Sequence, residues 1–363
     1  MRYVYLSTLF FFCQLGASFI NLSGIRPAAA LPDRSSFSSI APSAMDSSVG
    51  TLCFDLAVPR SPESSDELMK KAPAAQTAGF FVDGAALYWQ AREGGLSYAI
   101  KEGKRVEVPH FEWDFGFKVG LGYQVPHDTW KVALRYTSLQ THADSVHDGE
   151  VFIPLWLAPK SGPAPFSDFV KMHWRLHLGV LDALLSKEIF TSEYMTWTPE
   201  IGVRTAWIRQ KFNIENRGGN IAPDLIRTKK KVWGFGPEAG LSGQWFMSKE
   251  FCLFAHGAGS ILYGEFYLHQ DEDTLDTKEK LLGVHYIFRT SAPIVELMGG
   301  LRWQHDFACT LKRLTLELAW DQYIFFSQNQ LMHFNSAAEL GNFTNNQGDL
   351  SIWGPQFSFC LQF

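Results

Sequence analysis

The chain has 363 residues, of which 46% are hydrophobic, 30 are Phe, 12 Trp and 11 Tyr, and its formal net charge is −5. So small a charge argues against a nucleic-acid partner. Beyond the N-terminus no apolar run approaches the roughly 18 residues that a membrane-spanning helix needs, which excludes a helical membrane domain. Abundant aromatics with a mean hydropathy near zero are typical of strands whose two faces differ.

Residues 1–30 have the pattern of a secretory signal peptide. Arg2 precedes an apolar stretch that reaches Ile20, and Pro27-Ala28-Ala29-Ala30 offers an A-x-A cleavage site. An uncleaved membrane anchor is the alternative, although polar residues interrupt the stretch. We therefore expect an exported protein with a cleaved signal peptide.

Residues 31–78 are rich in Ser, Pro and Ala and include the run Ser61-Pro62-Glu63-Ser64-Ser65-Asp66-Glu67. Such a stretch buries too little apolar surface to order itself. We predict a flexible N-terminal segment, placed in the periplasm, with a single domain over residues 79–363.

From Phe80 onward, apolar residues alternate with polar residues or Gly in segment after segment. Residues 115–123 alternate Phe, Val, Leu and Tyr with Gly or Lys, and residues 172–180 alternate Met, Trp, Leu and Val with His, Arg or Gly. This period of two predicts strands. A soluble β-sandwich gives the same alternation, so the pattern alone does not separate it from a membrane barrel.

Tryptophan spacing favours the barrel. Trp233 and Trp245 are twelve residues apart on one strand face, and Trp197 and Trp207 are ten apart on another. With a rise of about 3.3 Å per residue and a tilt of roughly 40°, these spacings project to about 30 and 25 Å along a barrel axis. That height is typical of an apolar band between two aromatic girdles.

The connections between predicted strands alternate long and short: 91–112, 124–128, 138–170, 187–193, 209–231, 247–250, 269–283, 304–311 and 327–348. Outer-membrane barrels have long external loops and short periplasmic turns. The fold class that follows is all-β, a transmembrane antiparallel up-and-down β-barrel with both termini periplasmic. We expect 10 to 14 strands, with 12 as the central value and a further hairpin within 138–170 or 281–294.

Several blocks carry a family resemblance. Residues 80–99 and 113–123 resemble the opening strands of the Legionella and Chlamydiales type major outer membrane proteins, and 174–176, 199–212 and 233–237 fit as well. The resemblance covers residues 80–363. It implies a pore-forming β-barrel, without catalytic residues, cofactors or metals to transfer.

The predicted function is a porin-like channel for passive diffusion of small hydrophilic solutes. Opposed charges that project into a lumen select solutes by charge and size. Paired charges that only fill a narrow barrel are the open alternative. The expected pore-lining residues are Lys118, Lys131, Arg135, Lys171, Arg175, Arg204, Arg302, Glu200, Glu238, Glu296, Glu317 and Asp321.

Four cysteines of the mature chain are disulfide candidates, namely Cys53, Cys252, Cys309 and Cys360. In an oxidising compartment some could form bridges within the barrel or to neighbouring envelope proteins, giving a structural role like that of the chlamydial relatives. The alternative is that Cys252 and Cys360 are small buried hydrophobes. A third function class, a surface adhesin, rests only on the long polar loops.

The chain closes on Phe357, Phe359, Leu361 and Phe363, which alternate with small or polar residues. This ending resembles the C-terminal assembly signal of bacterial outer-membrane barrels. The expected partners are therefore outer-membrane lipid and the barrel-assembly machinery, besides other envelope proteins through disulfides and further copies of the chain.

Overall fold

The computed structural model describes residues 79–125, 129–157, 165–307, 312–334 and 343–363, so the predicted signal peptide and flexible segment lie outside the described residues. These residues form strands only, and no helix among them is long and apolar enough to cross a membrane. The strands are β1 (Gly79–Glu93), β2 (Ala99–Lys101), β3 (Arg105–Glu107), β4 (Trp113–Gln124), β5 (Trp130–Pro154), β6 (Ser167–Lys187), β7 (Ile189–Phe190), β8 (Met195–Arg217), β9 (Asp224–Phe246), β10 (Phe251–Thr274), β11 (Lys280–Asp306), β12 (Arg313–Phe334) and β13 (Phe343–Gln362).

Ten of these strands close into an antiparallel barrel, and β2, β3 and β7 lie outside it. Closure occurs at β1, where Phe81 pairs with Gly122 of β4 on one side and with Gln362 of β13 on the other. A closed ring leaves no unpaired sheet edge, which a strand in hydrocarbon cannot tolerate. The predicted all-β barrel is confirmed.

The strand number lies within the expected range, but the central value of 12 was wrong. The described residues within 138–170 and 281–294 hold no additional hairpin, because β5 runs on to Pro154, β6 starts at Ser167, and β11 is continuous from Lys280 to Asp306. Much of what the sequence indicated as long loops is strand that continues beyond the apolar band.

The connections differ in form between the two ends of the barrel. At one end, β9 and β10 are joined across residues 247–250, and β1 begins and β13 ends there. At the other end the β1–β4 connection carries the β2–β3 hairpin, which pairs with the tip of β5 through Ala99 and Pro154. We call these the turn end and the loop end.

The outer surface carries an apolar band bounded by aromatic rows. Trp233 and Trp245 both project outward from β9, 48% and 55% exposed. Trp207 of β8 pairs directly with Trp233, and Trp197 lies beside Trp245 through its partner Gly243. The predicted Trp pairs therefore mark two girdles, one towards each end of the barrel.

The chemistry of the two faces inverts at the girdle nearer the loop end. On β6, the side chains of Met172 and Trp174 are buried inside the barrel, whereas Lys171 and Arg175 are exposed on the outside. Beyond the apolar band the outside is water, so apolar side chains gain by turning inward. The prediction that Lys171 and Arg175 face the lumen was wrong, because it assumed one environment along the whole strand.

We expect a charge placed in the middle of the band to destabilise the barrel. Ile201 is 61% exposed between Trp197 and Trp207, so Ile201→Arg puts a cation into hydrocarbon at a cost of about 2–4 kcal/mol. Asn213→Arg, on the same outer face beyond the girdle, is the matched control and should cost at most about 1 kcal/mol. Denaturant unfolding in lipid vesicles measures both, and equal losses would contradict a membrane band at this height.

Candidate functional site in the barrel interior

The interior near the turn end is a charged vestibule with a cavity of about 250 Å³. Arg302 lies 2.7 Å from Glu317, and Arg135 lies 3.8 Å from Asp83. Lys131 faces the same cavity and lies 3.7 Å from Glu188. Ion pairs therefore surround a space large enough for several water molecules.

An ion-pair layer crosses the lumen beyond the vestibule. Arg204 of β8 lies 2.7 Å from each of Asp182 of β6, Glu238 of β9 and Glu296 of β11. β8 and β11 are not neighbours in the barrel, so the contact with Glu296 spans the interior. This guanidinium therefore holds four strands together by charge.

A second cation, on β4, completes the layer. Lys118 of β4 lies 2.5 Å from Asp321 of β12 and 3.8 Å from Glu296. Tyr323 donates a hydrogen bond of 2.5 Å to Glu296. Two cations thus face four carboxyl groups, those of Asp182, Glu238, Glu296 and Asp321.

A cluster of apolar side chains, the apolar closure, fills the lumen on the loop-end side of the layer. Trp89, Trp174, Phe266 and Phe325 are all at most 1% exposed within it. A cavity inside this cluster measures only about 10 Å³, roughly the space of one water molecule. The Lys118 ammonium lies 5.1 Å from the Trp89 ring centre, so layer and closure are in direct contact.

The loop end covers this cluster. The indole of Trp156 packs edge-on against Phe212 and donates a hydrogen bond of 2.7 Å to the carbonyl of Ser97. Phe111 packs edge-on against Trp174, with ring centres 5.1 Å apart. The lumen is therefore closed at this end by packed side chains of the described residues.

One polar pair is embedded in the apolar part. Lys230 lies 2.7 Å from Glu93, and both side chains are fully buried. Lys230 also donates to the carbonyl of Gln328 at 2.6 Å, and Gln210 donates to Glu93. The pair satisfies its hydrogen bonds locally, as a buried charge pair must.

Of the twelve residues predicted to line the lumen, ten face the barrel interior and two do not. Lys118, Lys131, Arg135, Arg204, Arg302, Glu200, Glu238, Glu296, Glu317 and Asp321 turn into the barrel, and Lys171 and Arg175 do not. That the ten line a conducting pore stays a prediction.

Sequence reasoning missed partners of these residues. Asp182 and Asp83 were not singled out, although each alternates with inward neighbours on its strand, and His256, which lies 2.6 Å from Glu200, was missed as well. Glu93 and Lys230 lie in the segments 91–112 and 209–231, which were interpreted as connections between strands. Period-two alternation carried through each strand would have found the first three.

The two described cysteines are free thiols that face the interior. Cys252 is fully buried, and Cys360 is half-buried against the vestibule. Neither is placed on the outer surface, so the structure gives no support to bridges from these two thiols to neighbouring proteins. Cys53 and Cys309 lie outside the described residues.

The final strand has its predicted two-faced character. Phe357, Phe359 and Phe363 are 51%, 42% and 43% exposed on the outer surface, and Leu361 shares their face. The intervening Ser358 turns inward and donates a hydrogen bond to Glu317. Recognition of this segment by an assembly machinery stays a prediction.

A closed antiparallel barrel with an apolar outer band and a charged interior defines the class of outer-membrane β-barrel proteins. The family model described as the Legionella pneumophila major outer membrane protein precursor matches residues 72–363. The chain belongs to this family, as the resemblance predicted.

Solved structures with a similar arrangement are distant. The toluene transporter TodX of P. putida shares 9% identity with a TM-score of 0.34, and the alignment covers 83% of this chain and 95% of TodX. A major outer membrane protein of Thermus thermophilus shares 10% identity with a TM-score of 0.29, with 79% and 100% covered. Ail of Yersinia pestis shares 9% with a TM-score of 0.22, with 79% and 100% covered. The comparison with curated proteins finds no significant match.

We expect removal of the central cation to destabilise the barrel strongly. Arg204→Met leaves three buried carboxylates without their shared partner, and breaking a buried pair from one side costs about 3–5 kcal/mol. Arg289→Met is the control, because Arg289 pairs with Glu265 on the exposed outer face, where a pair contributes at most about 1 kcal/mol. Guanidinium unfolding in detergent compares them, and similar losses would contradict the central role of Arg204.

Proposed function

We propose that this outer-membrane protein is a narrow channel for passive diffusion of small hydrophilic solutes, with the ion-pair layer as its selective region and the apolar closure as its gate. The observation that carries the proposal is the layer in which Arg204 and Lys118 face four carboxylates across the lumen. Membership of a major outer membrane protein family agrees with it.

The charged side chains of the barrel interior are not needed merely to fill the lumen. Well-packed apolar residues often stabilise an interior as well as or better than buried ion pairs. This chain packs most of the loop-end half of its lumen with apolar side chains such as Trp174 and Phe266, around the buried Lys230–Glu93 pair. The charged turn-end half of the same barrel is therefore best explained by a path for water and polar solutes.

Unpartnered atoms in the layer support a hydrated path. Arg204 Nη1, Glu238 Oε2 and Asp321 Oδ1 are buried and have no hydrogen-bond partner among the described residues. Buried polar atoms of this kind are normally satisfied by water. Since carboxylates outnumber cations in the layer, the proposed channel prefers cations to anions.

The apolar closure makes the described conformation a closed one. A solute that crosses the layer next meets the packed side chains of Trp89, Trp174 and Phe266. Apolar constrictions gate channels by excluding water. Opening therefore requires movement of these side chains and of the loop-end segments packed on them.

We also propose how the barrel is oriented in the membrane and how the chain is exported to it. The turn end faces the periplasm, the loop end faces outward, and residues 1–30 are cleaved during export. The outward aromatics of the last strand then serve the barrel-assembly machinery, and outer-membrane lipid surrounds the band.

A structural envelope protein is the second candidate, and the filled lumen favours it. A ten-stranded barrel is narrow enough for side chains to occupy its interior completely. In that case the ion pairs stabilise the wall and conduct nothing. Cross-linking by disulfides would then depend on Cys53 or Cys309, because Cys252 and Cys360 face inward.

Recording in planar bilayers separates the two candidates. We expect single-channel steps from heat-modifiable, folded protein, with a reversal potential that shows cation preference in a salt gradient. Glu296→Gln removes one carboxylate of the layer and should weaken that preference. Folded protein without conductance steps would support the structural alternative.

The gate is tested by a matched pair of tryptophan variants in the same recording. Trp174→Ala removes a fully buried side chain from the apolar closure and should raise the open probability several-fold. Trp233→Ala removes a side chain of equal size from the outer surface and should leave gating unchanged. Equal behaviour of the two variants would contradict a gate at the closure.

Orientation is tested by labelling Cys360 after the other cysteines are changed to Ser. Because Cys360 borders the vestibule, we expect a membrane-impermeant maleimide to react only after the outer membrane is permeabilised. Val146→Cys, at a 59% exposed position of β5 near the loop end, is the control that should react in intact cells. The reverse pattern would overturn the periplasmic placement of the turn end.

A further inference from the structure

Two rows of basic side chains cross the outer face directly beyond the Trp207–Trp233 girdle. In the first row, Arg209 of β8 pairs with His177 of β6 and with Lys231 of β9. In the second row, two residues further on, Lys211 pairs with Arg175 and Lys229. We call these six residues the basic ladder.

The ladder is exposed and lacks compensating charge. Arg175, Arg209, Lys211, Lys229 and Lys231 are all exposed, and none forms an ion pair among the described residues. Like charges placed opposite each other on neighbouring strands repel and destabilise a sheet. An uncompensated ladder of this kind therefore indicates an anionic ligand that the isolated chain does not contain.

The titration of His177 reflects the same concentration of charge. Partial burial, followed by the charges of Arg175, Lys211 and Arg209, lowers its pKa. His177 therefore favours the neutral state.

A groove of about 500 Å³ runs from the ladder into the apolar band. Arg209 and Lys231 line its polar end, and Trp207, Trp233 and Phe235 line its apolar part. The backbone of Gly264 also borders the groove. Arg289 also borders the groove, but Glu265 pairs with it.

We propose that the basic ladder and this groove bind a phosphorylated lipid of the surrounding leaflet, with the phosphate against Arg209, Lys211 and Lys231 and an acyl chain in the groove. Two and four residues beyond the girdle, the ladder lies about 5 and 10 Å further along the axis, at headgroup height. Arginine and lysine clusters bind phosphate by charge-assisted hydrogen bonds.

The shape of the site favours a lipid over other anionic ligands. The groove is continuous with the apolar band, so its occupant needs an apolar part at the depth of Trp233 and a negative part directly above it. A second copy of the chain that presented the same surface would bring two basic ladders together. With the loop end outward, as proposed above, the leaflet is the external one.

The probe is diphosphorylated lipid A, added to the folded full-length chain in neutral detergent and followed by native mass spectrometry. We expect wild-type protein to retain the lipid, and Arg209→Gln/Lys211→Gln/Lys231→Gln to bind it at least ten-fold more weakly. Lys104→Gln/Lys249→Gln/Lys278→Gln removes three exposed lysines elsewhere and should bind like wild type. Enzymatically dephosphorylated lipid should bind equally weakly to all three proteins.

Three outcomes would contradict the proposed lipid site. Equal retention by the two triple variants, or full retention of the dephosphorylated lipid, overturns the site. Dimers that disappear only in the ladder variant show that a second copy occupies the surface, which also overturns it. The ladder variant should keep wild-type conductance in planar bilayers, so a failure of lipid binding is distinguishable from a failure of the proposed channel function.

Discussion

The structure depends on one constraint, that every backbone N–H and C=O group inside hydrocarbon must be hydrogen-bonded within the protein. The pairing of β1 with both β4 and β13 meets it, because the ring then has no edge. The ring is closed with ten strands, and so small a number makes the lumen narrow. Arg204 can therefore reach carboxylates on three other strands, and large side chains such as Trp174 can close the remaining space.

The medium outside each strand changes from lipid to water along its length, and the side chains on the two faces of the strand change with it. Between the girdles, Ile201 and Trp233 face lipid, and charged Arg204 faces inward. Beyond the girdle, Arg209 faces water, and its neighbour Ile208 is buried inside. The alternation of side chains continues without a break while the chemistry of the two faces is exchanged. The ion-pair layer, the apolar closure and the basic ladder all follow from this exchange.

The sequence predicted the barrel and most of its charged interior, because period-two alternation and the spacing of Trp233 and Trp245 follow directly from strand geometry. It did not predict the outward side chains of Lys171 and Arg175, since the local pattern of β6 is the same whichever solvent surrounds it. Nor did it predict which charges pair across the lumen. The contact between Arg204 and Glu296 joins residues 92 positions apart and depends on how the ring closes.

The apolar closure begins near the Trp207–Trp233 girdle and extends beyond it towards the loop end. Much of it is therefore surrounded by strands that stand in water. Membrane tension and bilayer thickness act on the band between the girdles, and few side chains of the closure lie there. In the proposed channel, with its loop end outward, opening should therefore respond to agents dissolved outside the cell, such as salt or a ligand bound by the loop-end segments. In the proposed channel, the region that controls opening would thus stand in water and the conducting region in lipid.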